Sequence, residues 1–216
     1  MSNSSLVSYT RISPCSNNPR NKKISKITIH HMAGNLSIER CGEVFAPLSR
    51  GGSSNYGIGS DGRIGMYVEE KNRAWTSSNA LNDNMAVTIE VANDVIGGDW
   101  HVSDKALASL IDLCVDICKR NGIKSLNFTG DKNGNLTMHK YFAATACPGA
   151  YLESKFPYIA NEVNKRLNPK NVDTLGEDLN VLTEKGVINS PAYWKTKAPA
   201  VKYLPELIHN MAEKLR

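Results

Sequence analysis

The segment Ile27–Gly34, ITIHHMAG, reads as a β-strand that ends in two histidines and stops at a glycine. The β-branched residues Ile27, Thr28 and Ile29 favour extended backbone, and their apolar neighbours predict a strand buried within a sheet rather than at its edge. Successive strand side chains point to opposite faces, so only one of His30 and His31 can face a given cleft. One ligand is expected here, not two. A lone histidine at a strand end is more often a hydrogen-bonded structural residue. A segment far downstream changes that reading.

In Thr137–Gly149, TMHKYFAATACPG, a loop of polar and small residues separates His139 from Cys147. Imidazole and thiolate are the preferred ligands of zinc, and three protein ligands with one open position is the arrangement of a catalytic zinc. His30, His139 and Cys147 supply that set. The spacing of His139 and Cys147 matches no local zinc-finger signature, so the inference rests on the combination. The strand Thr88–Asn93, TIEVAN, carries Glu90 in its middle. A carboxylate there costs desolvation unless it faces a polar cleft or an ion, which places Glu90 beside the metal.

The order IHHMAG, SNYGIGSDGRI, TIEVAN and H-x7-CPG, across roughly residues 24 to 168, resembles the zinc-dependent N-acetylmuramoyl-L-alanine amidases of the phage lysozyme and peptidoglycan-recognition-protein family, the endolysin branch above all. The resemblance implies an α/β fold, a central mixed β-sheet flanked by helices. It implies His30, His139 and Cys147 as zinc ligands and Glu90 as the catalytic base at the metal. Thr145 falls where the family has Lys or Thr contacting the developing oxyanion. Asn55, of the Asn-aromatic pair Asn55-Tyr56, and Trp75 are the expected substrate contacts. Two departures stand out. Ser54 occupies the place of a catalytic tyrosine, which shifts the acid-base burden to Glu90, and the family's Ala-Trp-His is Ala74-Trp75-Thr76.

The implied reaction is hydrolysis of the amide between the lactyl carbonyl of N-acetylmuramic acid and L-alanine. Peptidoglycan is the partner, and a phage endolysin lysing a Gram-positive host is the expected setting. Two other classes stay open: a zinc peptidase cutting within the stem peptide, and a non-hydrolytic peptidoglycan-binding module. Such recognition modules generally lack the cysteine ligand that Cys147 retains.

With 216 residues the chain can hold a domain of about 150 residues and a small appendage. Hydrophobic residues make up 41% and charged residues 22%, and no apolar run approaches the roughly 20 residues needed to span a bilayer. The first twenty residues lack a basic start followed by an apolar run, which predicts no secretory signal, synthesis in the host cytoplasm and action on the wall at lysis. Five cysteines without such a signal predict free thiols. Cys114 and Cys118 fall in the apolar stripe of a helix and read as core rather than as a metal pair. The net charge of +5 has no concentrated basic run, which argues against nucleic acid and suits anionic wall polymers.

Residues 1 to 23 read as a polar arm without chemistry, and Ser37 and Ser103 as helix N-caps. Asp61-Gly62 reads as a hairpin turn, with Tyr56 in the core. A helix over Leu152–Leu167 with Pro157 near its start closes the catalytic domain, residues 1–168. Residues 169–216 then form a small all-helical domain, with helices over Leu175–Lys185, from Pro191, and over Pro199–Leu215. Its segments GVINSPAYW and VKYLPELI resemble helical modules appended to clostridial wall enzymes, which implies wall binding or self-association.

Overall fold

In the computed structural model, which describes residues 2–168 and 174–216, the chain divides into two units, Met1–Asn168 and Pro169–Arg216. The stretch 169–173, read from the sequence as the boundary, lies outside the described residues. Strands of the first unit are β1 (Tyr9–Thr10), β2 (Ser16–Asn17), β3 (Lys26–His31), β4 (Tyr56–Ile58), β5 (Ile64–Met66), β6 (Arg73–Ala74), β7 (Ala86–Val91) and β8 (Leu136–Met138). Its helices are α1 (Ile38–Phe45), α2 (Ala80–Met85), α3 (Asp104–Asn121) and α4 (Ala150–Leu167).

The main sheet runs β1-β5-β4-β7-β3-β8. It is mixed: β4 and β5 form the antiparallel hairpin, while β4, β7, β3 and β8 lie parallel. β3 is therefore interior, flanked by β7 and β8.

The two faces of this sheet differ because the strands alternate. Ile27 and Ile29 of β3, Val87, Ile89 and Val91 of β7, and Tyr56 and Ile58 of β4 join one apolar core with Leu110, Leu113 and Ile117 of α3 and Phe156 and Ile159 of α4. Burying each such side chain is worth about 1.5–3 kcal/mol. The intervening residues, Thr28 and His30 of β3 and Thr88 and Glu90 of β7, point the other way. There α1 covers the hairpin end, because Gly57 and Gly65 leave room for Tyr67, whose hydroxyl reaches the Ile38 carbonyl at 2.7 Å. Ser77 and Asn82 cover Thr28 and His30 on that face, and beyond them cavities open beside Glu90.

Helix ends follow the sequence signals. Ser37 accepts from Arg40 N, Ser103 accepts from Ala106 N, and Gly122 closes α3 with φ +71°. Tyr56 is core, its hydroxyl 2.8 Å from the buried carboxylate of Glu70. All five cysteines are free and buried.

Three expectations need correcting. Residues 1 to 23 are more than an arm: β1 extends the sheet beside β5, β2 pairs with β6, and Arg20 is buried. Its guanidinium donates to the carbonyls of Glu70 (2.6 Å), Asn72 (2.9 Å), Asp83 (3.2 Å), Asn84 (2.9 Å) and Ala86 (3.0 Å), which ties the N-terminal segment to the loop before β6 and to the α2–β7 junction. α4 begins earlier than predicted, at Ala150 after Gly149 (φ +86°), so Pro157 sits in the helix interior rather than near its start.

The second unit holds α5 (Thr174–Glu184), α6 (Pro191–Lys197) and α7 (Leu204–Glu213). The third correction lies here: Pro199–Leu215 is not one helix, because a short 3-10 turn at Ala198–Ala200 and a left-handed Tyr203 (φ +65°) precede α7. The core of this unit is Leu179, Leu182, Ala198, Ile208 and Ala212, and buried Asp178 pairs with His209 at 2.9 Å and Arg216 at 2.6 Å.

Candidate metal centre

Parallel pairing brings the site together. β3 and β7 are in register with His30 opposite Glu90, so both side chains rise from the same face of neighbouring strands. On the other side, β8 aligns Met138 with Ile29, which delivers His139 at the first position beyond the strand. The rings of His30 and His139 lie 4.6 Å apart, centroid to centroid.

The loop after His139 folds back on itself, closed by Lys140 N to the Cys147 carbonyl at 3.1 Å. That returns Cys147 Sγ to β3, where His31 N donates to it at 3.4 Å. Ligand atoms of His30, His139 and Cys147 all lie within 4.8 Å of one another. His31 turns away, as strand alternation requires, and its ring meets Trp100 edge to face at 5.1 Å.

The electrostatics suit a cation. Burial, reinforced by His139 and His31, holds the His30 imidazole well below its usual pKa, and burial lowers that of His139. Both rings are therefore neutral at pH 7, the state a metal needs. Burial and the nearby Glu90 raise the Cys147 thiol, which is therefore protonated in the metal-free protein and would have to give up that proton to bind a cation. Glu90 is pushed up to about 8 by burial, partly opposed by Arg50. Two buried atoms of the site, Glu90 Oε2 and His139 Nε2, have no hydrogen-bond partner among the described residues. Two imidazoles, a thiol and an unsatisfied carboxylate fit a divalent metal such as zinc better than any purely structural role.

Two cavities meet at this cluster. One, of about 490 Å³, is lined by Arg50, Ser53, Arg73, Trp75 and Ser78; the other, of about 280 Å³, by Met32, Leu36, Val44, Thr145 and Cys147. Phe45, Arg50, Glu90 and His139 line both.

Thr145 stands at the rim of the second cavity, exposed, its Oγ1 accepting from Cys147 N at 3.2 Å. Trp75 lies in the wall of the first, with Nε1 donating to Asn17 at 2.7 Å. The N-terminal segment thus helps shape the cleft.

Asn55 is not among the cleft residues. It is fully buried, its Nδ2 donates to the Val68 carbonyl at 3.1 Å, and its Oδ1 accepts from Thr88 N at 3.1 Å. Its amide is consumed in joining β4 to β7, which corrects the expectation of a substrate contact. Ser54 is equally buried and bonds to the Thr88 carbonyl at 2.9 Å, so no acid-base group takes the place of the family's tyrosine.

Sequence reasoning missed Arg50 and Phe45, which line both cavities together with Glu90 and His139. Arg50 ends a 3-10 turn stopped by left-handed Gly51, inside a stretch whose composition says only that it is a loop.

The fold has solved counterparts. PlyL is similar over 72% of this chain and 95% of its own, with a TM-score of 0.57 and 15% identity. The endolysin N-acetylmuramoyl-L-alanine amidase LysCS from Clostridium intestinale URNW covers 73% of this chain and 93% of its own, with a TM-score of 0.54 and 22% identity. The amidase LysC from the same organism gives 0.53 and 23%, over 75% of this chain and 95% of its own. No curated protein matches the chain in sequence. Residues 20–150, which carry every strand of the cleft and all of its donor residues, match the model of the N-acetylmuramoyl-L-alanine amidase family. The chain belongs to that family of peptidoglycan hydrolases.

Proposed function

We propose that the chain is a zinc-dependent amidase that cuts the bond between the lactyl carbonyl of N-acetylmuramic acid and L-alanine, with His30, His139 and Cys147 as the zinc ligands. The observation that carries this reading is the donor cluster, two neutral imidazoles and a thiol within 4.8 Å of one another on the cleft side of the sheet.

A zinc ion bound by His30, His139 and Cys147 would supply a Lewis acid for the scissile carbonyl and would lower the pKa of the attacking water to about 7. Glu90 is the base: its partnerless Oε2 takes the proton from that water and returns it to the leaving nitrogen. Burial holds its carboxyl above the usual range in the metal-free protein, and a cation at the donor cluster would draw it back toward the carboxylate, the state a base needs. Thr145 Oγ1 already accepts a backbone N–H, so its own hydroxyl proton is free to donate to the developing oxyanion. One water is consumed, and a muramoyl carboxylate and a free L-alanine amine are produced.

Trp75 offers an apolar face in the wall of the larger cavity for the glycan or the stem peptide. The second unit, which exposes Tyr193, Val201, Tyr203 and Leu207, is suited to bind wall polymer or to self-associate. LysCS is described as an endolysin amidase, and with that likeness in fold the setting we propose is lysis of a Gram-positive host by a phage endolysin.

The test has two parts. Purified protein is expected to contain about one zinc per chain and to lose activity on chelation. Mass analysis of fragments from defined peptidoglycan is expected to show stem peptides with a free N-terminal L-alanine; cuts inside the stem peptide would make the enzyme a peptidase instead.

A further inference from the structure

His30 is supported from beneath by a side chain that no sequence motif singles out. Ser77 is fully buried, and its Oγ lies 3.3 Å from His30 Nε2. Two neighbouring residues of α2 set its position. Both carboxylate oxygens of Asp83 accept Ser77 N, at 3.2 and 3.1 Å, and one also accepts Thr76 N at 3.1 Å. Asn82 Nδ2 donates to Ser77 Oγ at 3.2 Å and to Thr28 Oγ1 at 3.0 Å. Thr28 Oγ1 in turn shares a hydrogen bond of 2.9 Å with Thr137 Oγ1, which ties the arrangement to β3 and β8 together.

Counting donors and acceptors gives Ser77 a role. A neutral imidazole has one N–H and one lone pair, and a metal takes the lone pair. Ser77 Oγ occupies Nε2, so Nδ1 is the nitrogen left for a ligand bond. Once Nδ1 is a ligand, Nε2 must carry the proton, and that proton needs an acceptor in a site where His30 is 1% exposed. Ser77 Oγ spends one lone pair on Asn82 and has a second to offer. The Nε2 of His139, by contrast, is buried without a hydrogen-bond partner among the described residues.

We infer that Ser77 is a positioning residue for metal binding: it accepts the Nε2 proton of His30 and holds the ring with Nδ1 directed at the cluster formed with His139 and Cys147. The inference rests on reading those three residues as a zinc site. Asp83 and Asn82 act one step further out, fixing the backbone and the hydroxyl of Ser77. Partners of this kind typically change metal affinity by about 10–100-fold.

The experiment measures zinc affinity of the full chain by competition with a chromophoric chelator, for wild type, Ser77→Ala and Ser13→Ala. Ser13 is also buried, but its hydroxyl bonds the backbone of Phe45 and Cys15 and none of the three ligands. Ser77→Ala is expected to bind zinc about 10–100-fold more weakly, while Ser13→Ala keeps wild-type affinity even where its metal-free melting temperature drops. Equal affinity for wild type and Ser77→Ala overturns the role of Ser77 alone; a wild type that binds no zinc overturns the site itself. As a second measurement, ring ¹⁵N spectra of the zinc-loaded wild type are expected to show His30 protonated at Nε2 and bound through Nδ1. Binding through Nε2 refutes the inference, whatever the stability of the variants.

Discussion

Glu90→Gln in the metal-free protein tests the electrostatics of the cleft directly. Burial raises the Glu90 carboxyl from 4.5 to about 8, and no hydrogen bond reaches Oε2 to stabilise its charge. The folded state therefore holds a proton that the unfolded chain releases between pH 4.5 and 8. Stability contributed by this group is fully present below pH 4.5, falls as pH rises, and is lost above pH 8. At pH 7 the loss has a ceiling of about 3 kcal/mol, taking about 1.4 kcal/mol per pH unit. Glutamine keeps the shape and cannot ionise, so the variant escapes the loss. Urea unfolding of chelator-treated wild type and variant from pH 4 to pH 8.5 is expected to give matching stabilities at pH 4 and a variant more stable by about 1–3 kcal/mol near pH 8. Every other titrating group is common to both proteins and cancels. A difference that does not change with pH, or a wild type that gains on the variant as pH rises, would refute the claim that burial dominates at Glu90.

In the zinc-loaded enzyme the same Glu90→Gln change is expected to leave metal content near wild type and to lower turnover about a hundredfold or more, read by zinc analysis and muropeptide kinetics. Cys147→Ser replaces a thiolate with a poor zinc ligand and is expected to lose metal and activity together, measured by the same two assays. Asn55→Ala is expected to cost about 2–3 kcal/mol in denaturant unfolding, because it leaves Thr88 N unpaired in the sheet, while the KM of the folded enzyme stays unchanged. Arg20→Met strips five backbone carbonyls of their donor and is expected to cost about 3–5 kcal/mol by the same measurement. A chain ending at Asn168 is expected to keep a cooperative unfolding transition and activity on soluble muropeptides but to lyse intact cells more slowly, since a linked binding unit acts by raising local concentration.

Much of the centre was legible because strand periodicity is local. In ITIHH and TIEV the apolar residues alternate with Thr, His and Glu, so the residues opposite the core are named by position alone. Cap signals are equally local, and Ser37, Ser103 and Gly122 mark helix ends where the structure has them. The errors arose where a residue's role depends on what packs beside it. Asn55 adjoins a strand in a glycine-rich stretch and reads as available, yet its amide is used up by β7, a strand more than thirty residues away. Arg20 reads as an arm residue because the five carbonyls it satisfies come from two distant stretches of chain, residues 70–72 and 83–86.

By itself, then, the sequence determined which chemistry was possible: two imidazoles, a thiol and a strand carboxylate, with the face each strand residue takes set by alternation. It also carried the order of motifs that matches the family. The tertiary structure alone decided that His30 stands in register with Glu90, that Cys147 returns to His31 N, and that Ser77 lies against His30 Nε2 while Asn55 is buried beside β7. The physical reason is that parallel strands are joined through long crossovers, so their register is set by core packing over α3 and α4 and by hydrogen bonds between distant segments, none of which a local pattern encodes.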